Sequence, residues 1–281
     1  VPWRKPWAHG GLPGEPKRAD GQPFSGFNAW TLAMFAGVHG YAHASWLTYR
    51  QAEALGGQVR RGEKASPAIL YKTKVTSGQA ADPEAATGDQ DGRVLRFLKS
   101  YGVFNAAQVD GLPASFYTDT RPERRDVSQL PPELAAVPAT VIYDGSDPAF
   151  YPSHDHIRMP LPGDFESPAA WHAIAGHELV HWTAGPGRLE RGLERYHVDP
   201  TARALEELTA ELGTILLAMR LGLPLSEHLM QNHAAYISSW ARLLTDTPSA
   251  LMKASGQAQK AVEYLLAFSQ PLGAERSAEA A

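Results

Sequence analysis

The sequence predicts an α+β protein in two parts, residues 1–125 and 126–281. Two stretches of the first part, 67–75 and 93–105, alternate apolar and polar residues as strands do, whereas 167–268 carries long helical periodicities. A chain of 281 residues is long enough for two domains that each bury a core. We therefore expect a small α+β domain, followed by a domain with a β-hairpin and a helical core.

Charge is divided unevenly between the two parts. The first has sixteen Lys and Arg against eleven Asp and Glu, a net charge of +5, whereas the second has a net charge of −9. The chain has no cysteine, so it has neither disulfides nor thiolate ligands, which suits a reducing cytoplasm. No apolar run is long enough to span a membrane, and we expect a cytoplasmic protein with no membrane partner.

In the first part, capping and breaking residues mark the ends of the elements. A helix is predicted over 28–39, where Gly40 ends it. A second helix is predicted to begin at Thr48, which forms a capping box with Gln51. Residues 76–92 carry almost no apolar content and predict a flexible insertion within a hairpin formed by the two strands.

In the second part, a β-hairpin is predicted first and helices follow. Residues 139–143 and 150–159 are expected to pair across a turn at 144–148. The first three helices have clear start signals: a serine or an aspartate directly precedes a proline in the first two, and Ser226 begins the third. The helices are predicted from Ser167 to the Gly185-Pro186-Gly187 segment, from Asp199 to Leu221, from Ser226 to Leu244 and from Pro248 to Phe268.

The most informative motif is His177-Glu178-Leu179-Val180-His181, within the first of these helices. Histidines four residues apart lie on one helical face, and with the adjacent glutamate they form half of a zinc hydrolase site. The motif predicts that His177 and His181 bind Zn2+ and that Glu178 is the general base. Another divalent cation such as Mn2+ would suit the same ligands.

A catalytic zinc ion needs a third protein ligand, and the acidic residues of the following helix are the candidates. Helical phase places Glu206 nearly opposite the buried stripe of that helix, whereas Glu207 and Glu211 border the stripe one turn apart. Buried carboxylates are costly unless a positive group receives them. One of Glu207 and Glu211 is therefore expected to bind the metal, and the other to orient a histidine.

These residues predict a metallopeptidase mechanism. Zinc lowers the pKa of a water molecule, Glu178 accepts its proton, and the hydroxide attacks a peptide carbonyl. The extended segment 149–159 would hold a peptide substrate by strand addition. Three residues are candidates for stabilising the oxyanion: Tyr196, His197 and Tyr236.

The first 75 residues are basic and aromatic. They contain ten Lys and Arg, four Asp and Glu and ten aromatic residues. Basic groups follow phosphates and exposed rings stack on unpaired bases, so this mixture suits single-stranded DNA. Trp30, Phe35 and Trp46 are expected to pack in the core instead. The predicted DNA-binding residues are Arg60, Arg61, Lys64, Lys72, Trp3, Trp7 and Tyr71.

Both parts resemble one known family. The first resembles the N-terminal domain of ArdC-type antirestriction proteins, shared with TraC-type plasmid primases, in VPWRKPW, GYAHASWLTYRQAEALGGQVRRGEKASPAILYK and RFLKSYGVFNAAQVDGLP. The second is similar to the zincin-like metallopeptidase domain of that family in AFYPSHDHIRMP, AWHAIAGHELVHWTAGPGRL and ALEELTAELG. The resemblance covers nearly the whole chain.

The resemblance implies a protein that binds single-stranded DNA, carries an SprT-like zinc peptidase site and protects incoming mobile-element DNA from host restriction. A host restriction enzyme or another DNA-bound protein is the implied target. In the glutamate-zincin class the ligand glutamate precedes a supporting acid by one turn, which implies Glu207 as the ligand and Glu211 as its support. The family has a helix before VPWRKPW that is missing here, so we expect the natural start upstream of Val1.

Two other functions are compatible with the sequence. A DNA-binding or DNA-mimicking inhibitor would hold the same metal in a structural role and cleave nothing. The acidic second part favours this alternative, because a negative surface can occupy a DNA-binding groove. A secreted protease is disfavoured by the lack of a signal segment and of cysteines.

Overall fold

The structure is a computed structural model that describes residues 14–76, 93–117, 129–145, 147–223, 243–247 and 249–269, leaving aside the side chains of 71–76 and 93–98. The main α-helices are α1 (Gly26–His39), α2 (Tyr49–Ala54), α3 (Pro132–Ala135), α4 (Pro168–Trp182), α5 (Pro200–Leu221) and α6 (Ala250–Ala267). The strands are β1 (Trp46–Leu47), β2 (Gln58–Val59), β3 (Ser66–Thr76), β4 (Arg93–Asn105), β5 (Val109–Asp110), β6 (Thr140–Tyr143), β7 (Ala149–Tyr151) and β8 (His156–Met159). The fold is α+β, as predicted. No helix within the described ranges is both long and apolar enough to cross a membrane.

A long antiparallel ribbon dominates the first part. The whole of β3 pairs with β4, from Ser66 opposite Val103 to Thr76 opposite Arg93, and β1 pairs with the end of β4. The predicted hairpin is confirmed, whereas the insertion predicted for 76–92 lies outside the described residues beyond Thr76. α1 packs against β3, where the Asn28 side chain donates to and accepts from the Ile69 backbone at 2.7 and 2.8 Å.

Both helices predicted in the first part are present. α1 ends where Gly40 adopts a left-handed conformation (φ 69°), which glycine reaches without strain. α2 follows Thr48, whose hydroxyl accepts a hydrogen bond from the Gln51 amide, while the Gln51 side chain accepts one from the Thr48 amide. Trp46, predicted as a core residue, is 1% exposed.

The strands of the second part pair differently from the prediction. Segments 139–143 and 150–159 do not form one hairpin, because β6 pairs in parallel with β8 and the hairpin consists of β7 and β8. Two residues break the predicted strand: Pro152 has no amide hydrogen for a ladder, and Asp155 has a positive φ of 49°. The chain therefore reverses after β7, and β8 lies in the centre of the sheet.

Long helices form the core of the second part. α4 begins after Ser167, whose hydroxyl accepts a hydrogen bond from the Ala170 amide, and α5 begins after Asp199, whose carboxylate accepts from two backbone amides. α5 lies against both α4 and α6 and is buried on nearly all sides. The helix predicted over 226–244 falls largely outside the described residues, and the last predicted helix corresponds to α6.

The two parts are in contact through α1 and α6. On α1, Ala33 belongs to the same apolar cluster as Ala261 of α6, and Trp30 packs against a neighbouring cluster that also includes α6 residues. Nearby, Glu15 and Arg220 form an ion pair of 2.9 Å whose side chains are mostly buried. The apolar core therefore continues from one part into the other.

Candidate metal centre

α4 presents the two histidines of the motif side by side. Because a helix turns about 100° per residue, His177 and His181 lie one turn apart on the same face. Their Nε2 atoms are 3.1 Å apart and their ring centroids are 4.7 Å apart. Two basic nitrogen atoms this close can share a single cation.

α5 brings a carboxylate to the same point. Glu207 Oε2 is 3.6 Å from His177 Nε2, and Glu207 Oε1 is 3.9 Å from His181 Nε2. One ligand atom from each of the three residues lies within 4.8 Å of the other two, a spacing compatible with ligands around one metal ion. Within the described ranges, no other group of three His, Asp or Glu side chains comes this close.

The close approach of α4 and α5 depends on a glycine. A Cβ atom on Gly213 would lie 2.8 Å from a methyl carbon of Val180, which is shorter than real side chains allow. Val180 directly precedes His181 on α4. The contact therefore sets the spacing between the helix that carries the histidines and the helix that carries Glu207.

Glu211 lies one turn beyond Glu207, as the sequence predicts. Its Oε1 is 3.8 Å from His177 Nδ1, and the residue is 5% exposed. Glu207 approaches the opposite ring nitrogen, so His177 has a carboxylate beside each nitrogen. This arrangement suits the predicted roles, in which Glu207 binds the metal and Glu211 orients His177.

Glu206 lies opposite the apolar stripe of α5, as helical phase predicts, but this side of the helix does not face solvent. The residue is buried, and its Oε1 is 3.0 Å from His181 Nδ1. This side is covered because α5 packs on α4 and α6 at once, so a position opposite the apolar stripe is buried too. Glu206 is therefore the carboxylate that contacts the second ring nitrogen of His181.

Glu206 also contacts Arg191, a residue that the sequence analysis did not identify as part of the site. Its guanidinium donates two hydrogen bonds to the carboxylate, 2.7 Å from Nη2 to Oε1 and 2.9 Å from Nε to Oε2. Burial acts to raise the pKa of Glu206, but the hydrogen bonds from Arg191 and His181 hold it below its usual value. Arg191 follows the Gly185-Pro186-Gly187 segment, where no periodicity indicates which side chains turn inward.

Negative charge predominates in this buried region. Glu178, Glu206, Glu207 and Glu211 are each at most 6% exposed, and Arg191 compensates one of them. Burying carboxylates without positive partners is costly, and a divalent cation would offset two of the remaining charges. The nitrogen and oxygen donors of the site therefore fit a divalent metal ion.

The charges around His177 favour a proton on its ring. Burial disfavours its imidazolium, but the surrounding carboxylates, with Glu207 foremost, outweigh burial and raise the pKa of His177 to about 9. Burial likewise opposes ionisation of Glu207, but the two histidines and Tyr196 lower its pKa to about 2. Burial raises the pKa of Glu211 to about 7. At neutral pH a metal ion must therefore displace a proton from His177.

Tyr196 is the oxyanion candidate that lies at the site. Its hydroxyl donates a hydrogen bond to Glu207 Oε1, and its ring lies edge-on to that of His181, with centroids 6.3 Å apart. His197 is exposed and contacts the Tyr196 ring, 5.1 Å between centroids. Tyr236 lies outside the described residues.

The predicted basic turn lies between β2 and β3 on the surface of the first part. The Arg60 guanidinium is already engaged, 2.8 Å from Glu63 and 3.4 Å from Asp110. Arg61 and Lys64 are exposed. These two side chains are therefore better placed than Arg60 to contact a phosphate.

The other predicted DNA-binding residues stay predictions. Tyr71 and Lys72 lie on β3, opposite Leu98 and Phe97 of β4, at positions whose side chains are not described. Trp3 and Trp7 lie outside the described residues.

Two sequence profiles match the chain. Residues 1–104 match the N-terminal domain of the anti-restriction factor ArdC. Residues 131–257 match a zincin-like metallopeptidase.

Curated relatives align with nearly the whole chain. A DNA primase TraC of Escherichia coli is 38% identical over 96% of this chain, but the match takes up 26% of the primase. A second TraC primase of Escherichia coli is 34% identical over 96% of this chain and 19% of its own length. Uncharacterized protein y4eC of Sinorhizobium fredii is 32% identical over 94% of this chain and 85% of its own length. The chain therefore spans only a minor part of the two primases.

Solved structures share the fold over nearly the whole chain. The metal-free crystal structure of the antirestriction ArdC protein from plasmid R388 has a TM-score of 0.75 and 36% identity, covering 95% of this chain and 90% of that one. The Mn(II)-bound crystal structure of that protein has a TM-score of 0.72 and 34% identity, covering 96% and 92%.

The fold and the buried ligand cluster define a protein with a zincin-like metallopeptidase domain. The domain match and the Mn(II)-bound relative, together with the donor cluster, indicate a divalent metal. With its ArdC-type N-terminal domain, the chain belongs to the ArdC family of antirestriction proteins.

Proposed function

We propose that this protein is an antirestriction factor that binds single-stranded DNA through residues 1–125 and carries a zinc peptidase site in residues 126–281. His177, His181 and Glu207 would hold Zn2+. The convergence of their ligand atoms within 4.8 Å, in a buried region of excess negative charge, is the observation that carries the proposal.

The side chains around this cluster divide the chemistry of peptide hydrolysis. A bound divalent cation would acidify water and polarise a carbonyl. Glu178, buried next to His177 on α4, would accept the proton of the attacking water and pass it to the leaving amine. Tyr196 donates its one hydroxyl proton to Glu207, so it would stabilise the oxyanion by turning that hydrogen bond from the carboxylate to the substrate.

β7 offers an edge for a peptide substrate. It lies at one side of its three-stranded sheet and contacts α4. A peptide that added to this edge would run beside the helix that carries the histidines. The predicted substrate segment 149–159 is thereby reduced to Ala149–Tyr151, because β8 is already paired on both sides.

Charge and relationship support the DNA-binding half of the proposal. The first part has a net charge of +5, it matches the ArdC N-terminal domain, and its relatives include DNA primases. Bound single-stranded DNA would bring the peptidase to a host restriction enzyme or another DNA-bound protein. We propose that phosphates contact Arg61, Lys64 and Lys72, and that Arg60 contributes less to phosphate binding. The proposed contacts to bases are Trp3, Trp7 and Tyr71.

A second candidate function is favoured by the charge of the second part. Its net charge of −9 would allow it to occupy a DNA-binding groove. The metal would then hold the helices together, and restriction would be blocked without any cleavage.

A cleavage assay distinguishes the two functions. The full chain with Zn2+ is incubated with restriction enzymes and other DNA-binding proteins, with and without single-stranded DNA, and fragments are identified by mass spectrometry. We expect cleavage that single-stranded DNA accelerates, and none by Glu178→Gln, which keeps its zinc. Glu194→Gln, a change at an exposed glutamate, is the control and should cleave normally. If the wild-type protein protected DNA from restriction without cleaving any of these proteins, the result would contradict the peptidase function and support the inhibitor function.

A further inference from the structure

A buried row of polar groups leads from Arg191 through Glu206 to His181. The Arg191 side chain is 3% exposed and that of Glu206 is 7% exposed. The guanidinium and the carboxylate form two parallel hydrogen bonds, a geometry that fixes the plane of both groups. A lysine would lack this planar fork.

The far end of this row determines how His181 faces the ligand cluster. Glu206 Oε1 is 3.0 Å from Nδ1 of the ring, whereas Nε2 of the same ring is 3.1 Å from His177 Nε2. An ionised carboxylate only accepts hydrogen bonds, so Nδ1 must carry the proton. Nε2 then presents its lone pair toward His177 and Glu207, as a metal ligand requires.

Arg191 also holds the end of α4. Its Nη2 is 2.8 Å from the Val180 carbonyl oxygen, and its Nη1 is 2.7 Å from Thr183 Oγ1. The Val180 oxygen also accepts hydrogen bonds from the amide and the hydroxyl of Thr183, so Arg191 adds a buried charged donor to a helix end that is already capped. His181 lies within this turn, and one guanidinium thus connects its backbone environment to Glu206 on α5.

We propose that Arg191 and Glu206 are positioning residues that fix the orientation and the tautomer of His181 at the metal centre. This inference rests on the proposed function, since it assumes that His181 binds a metal. The pair touches neither substrate nor metal and acts through His181. Its effect is therefore on metal affinity and ligand geometry.

A purely structural ion pair would behave differently. Replacing a buried ion pair by apolar residues of similar volume often leaves stability unchanged. The double variant Arg191→Met/Glu206→Leu removes both charges, so it leaves no lone charge in the core. It also removes the acceptor of His181 Nδ1, so positioning is lost even where stability is kept.

Arg188 provides a matched control. It belongs to the same loop, caps the same helix through the Trp182 carbonyl at 2.6 Å, and is 9% exposed. Its carboxylate partner is Asp155 in the β7–β8 turn, not a residue of α5. Arg188→Met should therefore weaken the end of α4 without changing the acceptor of His181.

The experiment measures three properties of the full chain: Zn2+ affinity by chelator competition, the visible absorption of the Co2+-substituted protein, and urea unfolding in EDTA. We expect the double variant to lose 10- to 100-fold in Zn2+ affinity, as is typical when a partner of a ligating histidine is removed, and to show an altered Co2+ spectrum. Arg188→Met should lose stability and keep both metal properties. Glu206→Gln, which preserves shape, gives the same test if the double variant does not fold, with an expected loss of about tenfold.

Two outcomes would overturn the inference in different ways. Wild-type protein that binds Zn2+ tightly, together with an unchanged affinity and spectrum in the double variant and in Glu206→Gln, would refute the positioning role alone. Wild-type protein that binds no Zn2+ would refute the proposed metal site and the positioning role with it.

Discussion

Arg188 and Asp155 form a two-pronged ion pair that ties the β7–β8 turn to the end of α4, with nitrogen to oxygen distances of 2.6 and 3.1 Å. The same guanidinium lies 4.2 Å over the ring of Trp182. The Arg188 side chain is 9% exposed, so its guanidinium is shielded from water on most sides even though Asp155 is 56% exposed. The pair therefore holds the proposed substrate edge against the helix that carries the histidines.

Arg188→Ala should lower the free energy of unfolding by about 2 kcal/mol, because it removes charged hydrogen bonds and a cation–π contact. Urea denaturation of the metal-free protein measures this loss. Arg18→Ala is the control, since Arg18 and Asp20 are 49% and 61% exposed, and it should cost less than about 0.5 kcal/mol. Equal losses of unfolding free energy in the two variants would show that the shielding of Arg188 from water does not strengthen its ion pair.

His177→Ala and His181→Ala should each reduce bound zinc to near zero and destabilise the second part. Each change removes one of three ligands of the proposed site. Glu178→Gln should keep its zinc, because Glu178 is not one of the converging ligands. Elemental analysis of the purified variants gives the zinc content. Full occupancy in His177→Ala would refute the assignment of the site.

Among the carboxylates of α5, Glu207→Gln should reduce zinc affinity more than Glu211→Gln. Glu207 lies within 4 Å of both Nε2 atoms, whereas Glu211 Oε1 is 3.8 Å from Nδ1 of His177, the ring nitrogen that Glu207 does not approach. Chelator competition compares the two variants directly. A larger loss in Glu211→Gln would reverse the assigned roles.

As pH rises, the stability of the metal-free fold should fall and the affinity for zinc should increase. The carboxylates raise the pKa of His177 in the folded protein from 6.5 to about 9. Protonated His177 therefore stabilises the folded state, fully below about pH 6.5 and no longer once the pH has risen through about 9. Zinc affinity should rise over the same range, by up to about tenfold per pH unit, because fewer proteins carry the proton that the metal displaces.

Urea unfolding in EDTA and chelator competition, both from pH 6.5 to 8.5, test these slopes. His177→Gln is the control for folding, and its stability should depend less on pH across this range. A zinc affinity that falls as pH rises would contradict the charge distribution of the site.

Binding of single-stranded DNA by the full chain should weaken with salt, with a log–log slope of about −0.7 for each phosphate contact. Arg61→Ala and Lys64→Ala should each flatten the slope by about 0.7. Arg60→Ala should flatten it less, because Glu63 and Asp110 already engage its guanidinium. Fluorescence anisotropy with an oligothymidine at several salt concentrations measures the slopes. Salt-independent binding would rule out this surface as a DNA contact.

Local signals in the sequence were sufficient for the elements whose ends depend on one or two residues. The capping box of Thr48 and Gln51 and the proline starts of α4 and α5 are formed by neighbours along the chain, and all are present. The pairing of His177 with His181 follows from helical spacing alone.

Features that depend on how elements pack could not be predicted in this way. The burial of Glu206 depends on α4 and on the loop that carries Arg191, which cover the side of α5 opposite the apolar stripe, whereas α6 covers the stripe itself. The parallel pairing of β6 with β8 depends on a chain reversal at Pro152 and Asp155, and alternation of apolar residues does not record strand order. Arg191 reaches Glu206 from a loop, where no repeat indicates direction.

The contact between α1 and α6 limits which chimeras of related proteins can fold. Because Trp30 and Ala33 of α1 complete apolar clusters that include α6, α6 supplies part of the surface on which α1 folds. A chimera that joins residues 1–125 of this chain to the second part of a relative would place a foreign helix against α1. Such grafts should fold only when the donor of the second part has residues of matching size along the helix that corresponds to α6, so α6 determines which first parts the molecule accepts.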